Sequence, residues 1–197
     1  MISNFLTIAA ISFLLISCAE KNENDEIKRE EISLITNIEE VDGVLRVINS
    51  KGDVIHSTSN YNSFKYSDNI VAIQYSDKGE RVQAYNGNGD LIIDGAELIN
   101  SYQVGDNIVA IQYYDRGERV KAYNSNGKLL IRGAQLIDDY KVASNVVAIQ
   151  YYDQGNRVQA YDNIGNTLFR SADLVQGIVK SDKKIFVIHY DGSDQEL

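Results

Sequence analysis

Proline and tryptophan are absent from the 197 residues, and cysteine and methionine each occur once. A single cysteine excludes a disulfide framework and any cysteine-rich zinc or iron–sulfur site. Two histidines, His56 and His189, leave too little for a multi-histidine metal centre. Positive charge is also scarce. A net charge of -9 excludes a general basic surface for nucleic acid, since neutralising phosphates takes clustered Lys and Arg. The apolar run from Phe5 to Ile16 has twelve residues, whereas a membrane-spanning helix needs about 20. After Glu40 no segment sustains a 3.6-residue apolar period, so helices are not expected there. What is present, 44% apolar and 24% charged residues, is the balance of a folded domain and not of a disordered or collagen-like chain.

The run from Phe5 ends in Leu15-Ile16-Ser17-Cys18. A short apolar core followed by a small residue and a cysteine has the layout of an export signal. It resembles the lipobox of bacterial lipoproteins, although Met1 to Phe5 contains no Lys or Arg. The resemblance implies a signal peptide over residues 1–17, cleavage before Cys18, and acylation of that cysteine. Two or three acyl chains would anchor the protein firmly, where one chain holds only marginally. The implied location is the bacterial cell envelope. The outer membrane is favoured where one exists, because Ala19 and not Asp follows the cysteine. The alternative is a buried apolar segment with Cys18 as a core thiol. Residues 18–40 carry eight acidic and three basic side chains. Such a stretch is expected to be an acidic, flexible tether.

The remainder repeats. Ile70-Val-Ala-Ile-Gln-Tyr75 recurs as Ile108 to Tyr113 and as Val146 to Tyr151, then as Ile185-Phe-Val-Ile-His-Tyr190, at offsets of 38, 38 and 39. Each of the first three copies is followed by a turn, an Arg-Val strand, an Asn- or Asp-led turn and another apolar run. A shorter strand precedes each copy. Runs rich in Val, Ile and Tyr between Asn, Asp and Gly predict strands joined by hairpins. The repeated block is apolar on both faces, so it is expected to be covered above and below. These features resemble bacterial β-propeller repeats in general, without the Trp-Asp, kelch or Trp-Gly signatures of particular families. The expected fold is all-β: a small propeller of about four four-stranded antiparallel blades over residues 41–192. One blade would be a composite, with Val44–Ile48 and Val54-Ile55 at the start completed by Ile178-Val179 and Ile185–Tyr190 at the end. Ser33 to Ile38 is a further strand candidate with no place in this scheme. The alternative is an open antiparallel β-repeat sheet.

Four sets of residues are candidates for function. Gln74, Gln112 and Gln150, with His189 aligned to them, are polar within an apolar strand and predict a structural ring of hydrogen bonds. Lys65, Gln103 and Lys141, with Val179 or Lys180 as the fourth copy, sit in the expected innermost strands. There they would either face a channel or remain solvated. Tyr114 and Tyr152 replace Ser76, a position near the surface, and suit contact with protein or glycan. The turn Asn86 to Asp90 has alternating Asx residues but lacks the spacing of a calcium loop, and hairpin chemistry accounts for it. His189 has no identifiable nucleophile or carboxylate partner, so no catalytic residue is assigned. The expectation is a lipid-anchored, monomeric, non-enzymatic module binding an envelope protein, without cofactor, metal or nucleic acid. The alternative function is glycan binding through Tyr-rich loops.

Overall fold

The computed structural model of the chain describes residues 33–75, 79–95, 99–134, 137–171 and 173–197. The signal segment, Cys18 and most of the expected tether lie outside these residues. Among the described residues there are eighteen strands and no helix. They form five separate antiparallel meanders, each joined in chain order. Sheet 1 holds β1 (Ile35–Val41), β2 (Val44–Asn49) and β3 (Val54–Thr58). Sheet 2 holds β4 (Ser63–Tyr66), β5 (Ile70–Tyr75), β6 (Arg81–Asn86) and β7 (Leu91–Asp94). Sheet 3 holds β8 (Ile99–Val104), β9 (Ile108–Tyr114), β10 (Glu118–Asn124) and β11 (Leu129–Ala134). Sheet 4 holds β12 (Ile137–Ala143), β13 (Val146–Tyr152), β14 (Asn156–Asp162) and β15 (Thr167–Arg170). Sheet 5 holds β16 (Gly177–Ser181), β17 (Lys184–Ile188) and β18 (Asp194–Glu196). The sheets stand side by side like propeller blades, with β4, β8, β12 and β16 as neighbouring first strands.

Strand alternation explains the stacking. In β5, Ile70 and Ala72 face sheet 3, where they meet Tyr102, Val109 and Ile111. Val71, Ile73 and Tyr75 point the opposite way and meet Ile35, Leu45 and Val47 of sheet 1. In β9, Ile108 and Ala110 turn likewise toward Val142, Val147 and Ile149 of sheet 4. A period of two thus divides one continuous apolar run between two cores. Each fully buried Ile or Val contributes about 1.5–3 kcal/mol, so the cores between sheets dominate stability.

The composite blade is not formed. Val44–Asn49 pairs with β1 and β3, and Lys184–Ile188 pairs with β16 and β18. Among the described residues no ladder joins sheet 1 to sheet 5. The cause is local. Asp42 and Gly43 both have positive φ, 53° and 74°, which makes the two-residue hairpin that holds β1 against β2. The strand candidate near Ser33 thereby finds its place, and its residues before Glu40 belong to a sheet and not to a tether. Strands extend from Ile35 to Glu196, beyond both ends of the expected 41–192 domain. There are three four-stranded sheets and two of three strands.

The fourth repeat is also shifted by one residue from its apparent alignment. Val187 pairs with Ile178 as Ile149 pairs with Tyr140, an offset of 38. Ile188 therefore occupies the position of Gln150, and His189 that of Tyr151. A one-residue slip exchanges the two faces of a strand. Here Ile185 and Val187 face sheet 4. The run Ile185 to Ile188 is apolar throughout, so its composition does not mark which phase is correct.

At one end of the sheets the turns between β2 and β3, β6 and β7, β10 and β11, and β14 and β15 interlock. Asn86 Oδ1 accepts from the amides of Asn88 and Asp90 at 3.0 and 2.9 Å, closing the turn. Its Nδ2 donates to the Ser125 carbonyl of the next sheet at 3.2 Å. Asn49 and Asn124 repeat this, reaching Gly87 O and Asn163 O at 3.2 and 2.9 Å. Asp162 keeps the turn but has no Nδ2, and among the described residues sheet 5 has no equivalent turn to receive one. Replacing Asn86 by Asp should therefore cost about 1–3 kcal/mol, through an unmet buried carbonyl and repulsion from Asp90. Asp162→Asn should change stability by no more than about 0.5 kcal/mol. Denaturant midpoints of the two variants check this contrast.

Candidate functional site

The glutamines of the second strands do not touch one another. Gln74 Oε1 accepts from Ser63 Oγ at 2.8 Å, and its Nε2 donates to Glu80 at 3.1 Å. Gln112 repeats the arrangement with Ser101 and Glu118 at 2.8 and 2.9 Å. The bond between sheets passes through the serines, which lie 2.8 Å from the hydroxyls of Tyr102 and Tyr140. In sheet 4 Gln150 Nε2 donates to Asp138 Oδ2 at 2.7 Å. His189 takes no part in this layer. It follows β17, where its backbone closes the turn through Gly192. The serine–tyrosine pairs carry the contact, and sequence reasoning passed over them. Their signal was the 38-residue spacing of Ser63 and Ser101, and of Tyr102 and Tyr140.

The first-strand residues likewise reach across to the next sheet. Lys65 Nζ donates to the Tyr102 carbonyl at 2.7 Å and lies 4.5 Å from the centre of that ring. Gln103 donates to Tyr140 O at 2.9 Å and accepts from Val142 N at 3.0 Å. Lys141 turns back onto Asp139, with 2.7 Å between Nζ and Oδ2. Register gives the fourth position to Val179, while Lys180 donates to Val142 O at 2.7 Å. Lys65, Gln103 and Lys180 therefore stitch sheets together, and Lys141 does not. Asn69, Asn107 and Asn145 add a ladder of amides between first turns, at 2.7 and 2.6 Å. Asp106 binds Ser144 Oγ at 2.9 Å and Lys183 Nζ at 3.1 Å, and its carboxylate raises the Lys183 pKa.

The other histidine is structural too. His56 Nε2 lies 2.9 Å from Tyr75 OH, its ring stacks on Tyr85 at 4.4 Å, and burial lowers its pKa. Against this consumed polar inventory, and with Tyr66 and Tyr190 also exposed, Tyr114 and Tyr152 are open. They end β9 and β13 at equivalent positions and are 55% and 60% exposed. Beside Tyr114 is a cleft of about 450 Å³ between sheets 2 and 3, bounded by Ile93, Asp94, Tyr113, Lys121 and Tyr123. Lys121 Nζ sits 4.8 Å from the centre of the Tyr113 ring, so one wall carries an ammonium over an aromatic face. The candidate surface is thus aromatic and faces solvent.

The fold defines the class of protein: an all-β, propeller-like repeat array. No protein-family model and no curated protein matches the chain. The crystal structure of the eukaryotic initiation factor is similar with a TM-score of 0.51 at 12% identity, over 76% of this chain and 44% of that one. Two computationally designed proteins, Ika8 and Ika4, are similar with TM-scores of 0.40, at 20% and 23% identity. The matches cover 82% and 68% of this chain, and 57% and 88% of theirs. The chain therefore spans little more than half of Ika8 and less than half of the initiation factor.

The serine–tyrosine layer has a titration signature. Burial pushes the Tyr140 phenol up to about 12; the hydrogen bond with Ser101 opposes the shift and the Asp139 charge adds to it. An unfolded chain releases this proton near pH 10. Between about 10 and 12 the folded chain holds more protons than the unfolded one, so stability falls as pH rises. Tyr140→Phe should remove about 2 kcal/mol of that fall. Denaturation at successive alkaline pH values, with phenolate absorbance followed in parallel, checks the slope.

Proposed function

We propose that this protein is a non-enzymatic interaction module that binds a protein partner through its exposed tyrosines. The observation that carries the reading is the equivalent placement of Tyr114 and Tyr152 on successive sheets, both mostly in solvent. A tyrosine offers a large apolar face and a hydroxyl at little entropic cost, which suits it to anchor an interface. The other repeated polar side chains named above are engaged within or between sheets, an arrangement that supports binding in preference to chemistry. The lipobox-like Leu15 to Cys18 adds that the module is held by lipid at a bacterial envelope membrane.

Two experiments test the parts separately. Cys18→Ala should abolish incorporation of labelled fatty acid and release the protein from the detergent phase; label retained by the variant refutes the anchor. For binding, the natural copy with Ser76 supplies the neutral replacement. A Tyr114→Ser, Tyr152→Ser double variant should keep the wild-type melting temperature and lose tenfold or more in affinity for the partner captured by wild type, at about 1–2 kcal/mol per anchor. Capture that is unchanged in the double variant removes this surface from the reading. Binding on a glycan array with no protein captured would assign a carbohydrate ligand instead.

A further inference from the structure

The interface between sheets 4 and 5 breaks the repeat. At the two interfaces before it, serine meets tyrosine: Ser63 with Tyr102, and Ser101 with Tyr140. Register places Asp139 and Ile178 at the corresponding positions. Asp139 is turned away, pairing with Lys141 Nζ and accepting from the Tyr140 amide at 2.7 Å. Ile178 brings neither ring nor hydroxyl. A cavity of about 340 Å³ opens here, lined by Gln150, Gln176, Gly177, Ile178, Val179 and Ile188.

Gln150 is 6% exposed. Its Nε2 is held by Asp138, but its Oε1 accepts no hydrogen bond from the described residues. The Oε1 atoms of Gln74 and Gln112 each accept from a serine hydroxyl. Gly177 keeps the approach to Gln150 Oε1 open, because a Cβ at that position would lie 3.1 Å from the oxygen. The φ of Gly177 is not in the left-handed region, so backbone geometry does not demand glycine there.

We infer that this cavity binds a phenolic ring whose hydroxyl donates to Gln150 Oε1. The other interfaces of the same molecule supply the template, since each seats a tyrosine ring with its hydroxyl in this polar layer. Ile178, Val179 and Ile188 provide apolar walls, and the volume falls within the range of small-molecule sites. Among the described residues no buried side-chain oxygen or nitrogen lacks a partner, so Gln150 Oε1 is reached from the cavity, where a ligand that brings a donor is favoured over the analogue lacking one. The ring can be that of a free phenol or of a partner's tyrosine side chain. This site is separate from Tyr114 and Tyr152, and stands or falls independently of them.

The test is titration of the full chain with p-cresol, toluene and a tyrosine-containing peptide, following backbone amide resonances of Gln150, Gly177 and Ile178. The expected result is saturable movement of these amides with p-cresol and at least tenfold weaker binding of toluene. Gln150→Leu should narrow that preference to under twofold. Ile178→Tyr, which places a ring covalently in the cavity, should abolish p-cresol binding. Peptide binding as tight as p-cresol assigns the ring to a partner, and binding of p-cresol without the peptide assigns it to a small molecule. The inference is overturned by unmoved amides at saturating p-cresol, by equal binding of toluene, or by a folded Ile178→Tyr chain that still binds. If Ile178→Tyr does not fold, the toluene comparison in wild type and Gln150→Leu decides.

Discussion

The second strand of each central repeat is apolar on both faces, and no single sheet can cover it. β5, β9 and β13 each send alternate side chains into two different cores, so every such sheet requires a neighbour on either side. Side-by-side stacking at a constant offset follows from this demand. The end sheets meet it differently. In β17 Ile185 and Val187 are buried against sheet 4, while Lys184 is exposed and Phe186 and Ile188 are half-buried.

Polar groups add specificity to this packing. The asparagine turns, the serine–tyrosine pairs and the Asn69, Asn107 and Asn145 ladder each link a residue to one 38 or 39 positions on, in the next sheet. A donor in one copy is matched to an acceptor in the next, so changing a single copy leaves a neighbour unsatisfied. Near-identity of the repeats is thus a structural requirement. Departures carry information for the same reason. Asp162 lacks the amide, and among the described residues no acceptor turn follows it. Asp139, Ile178 and Gly177 abandon the serine–tyrosine pair together, and a cavity replaces it.

Much of this was legible in order along the chain. The 38-residue period, the hairpin chemistry and the doubly apolar block IVAIQY determine an all-β array of stacked meanders, because alternation and turn residues act locally. Tyr114 and Tyr152 could be singled out because a third copy has Ser76 there, and a position that accepts Ser in place of Tyr is not a packed one. The Asp42-Gly43 hairpin was also readable and would have assigned β1 to sheet 1.

Tertiary structure alone decided the rest. Whether Val44–Asn49 pairs with Ile35–Val41 or with the last strands is a choice between near and distant partners, and local closure of the hairpin favours the near one. The phase of Ile185 to Ile188 is invisible in a run of uniform polarity, and only packing against sheet 4 places Val187 inward and leaves His189 outside the glutamine layer. The same holds for Lys65 and Gln103. Composition says that they are polar and mid-strand, but their carbonyl partners belong to the adjacent sheet and become neighbours only when the sheets stack.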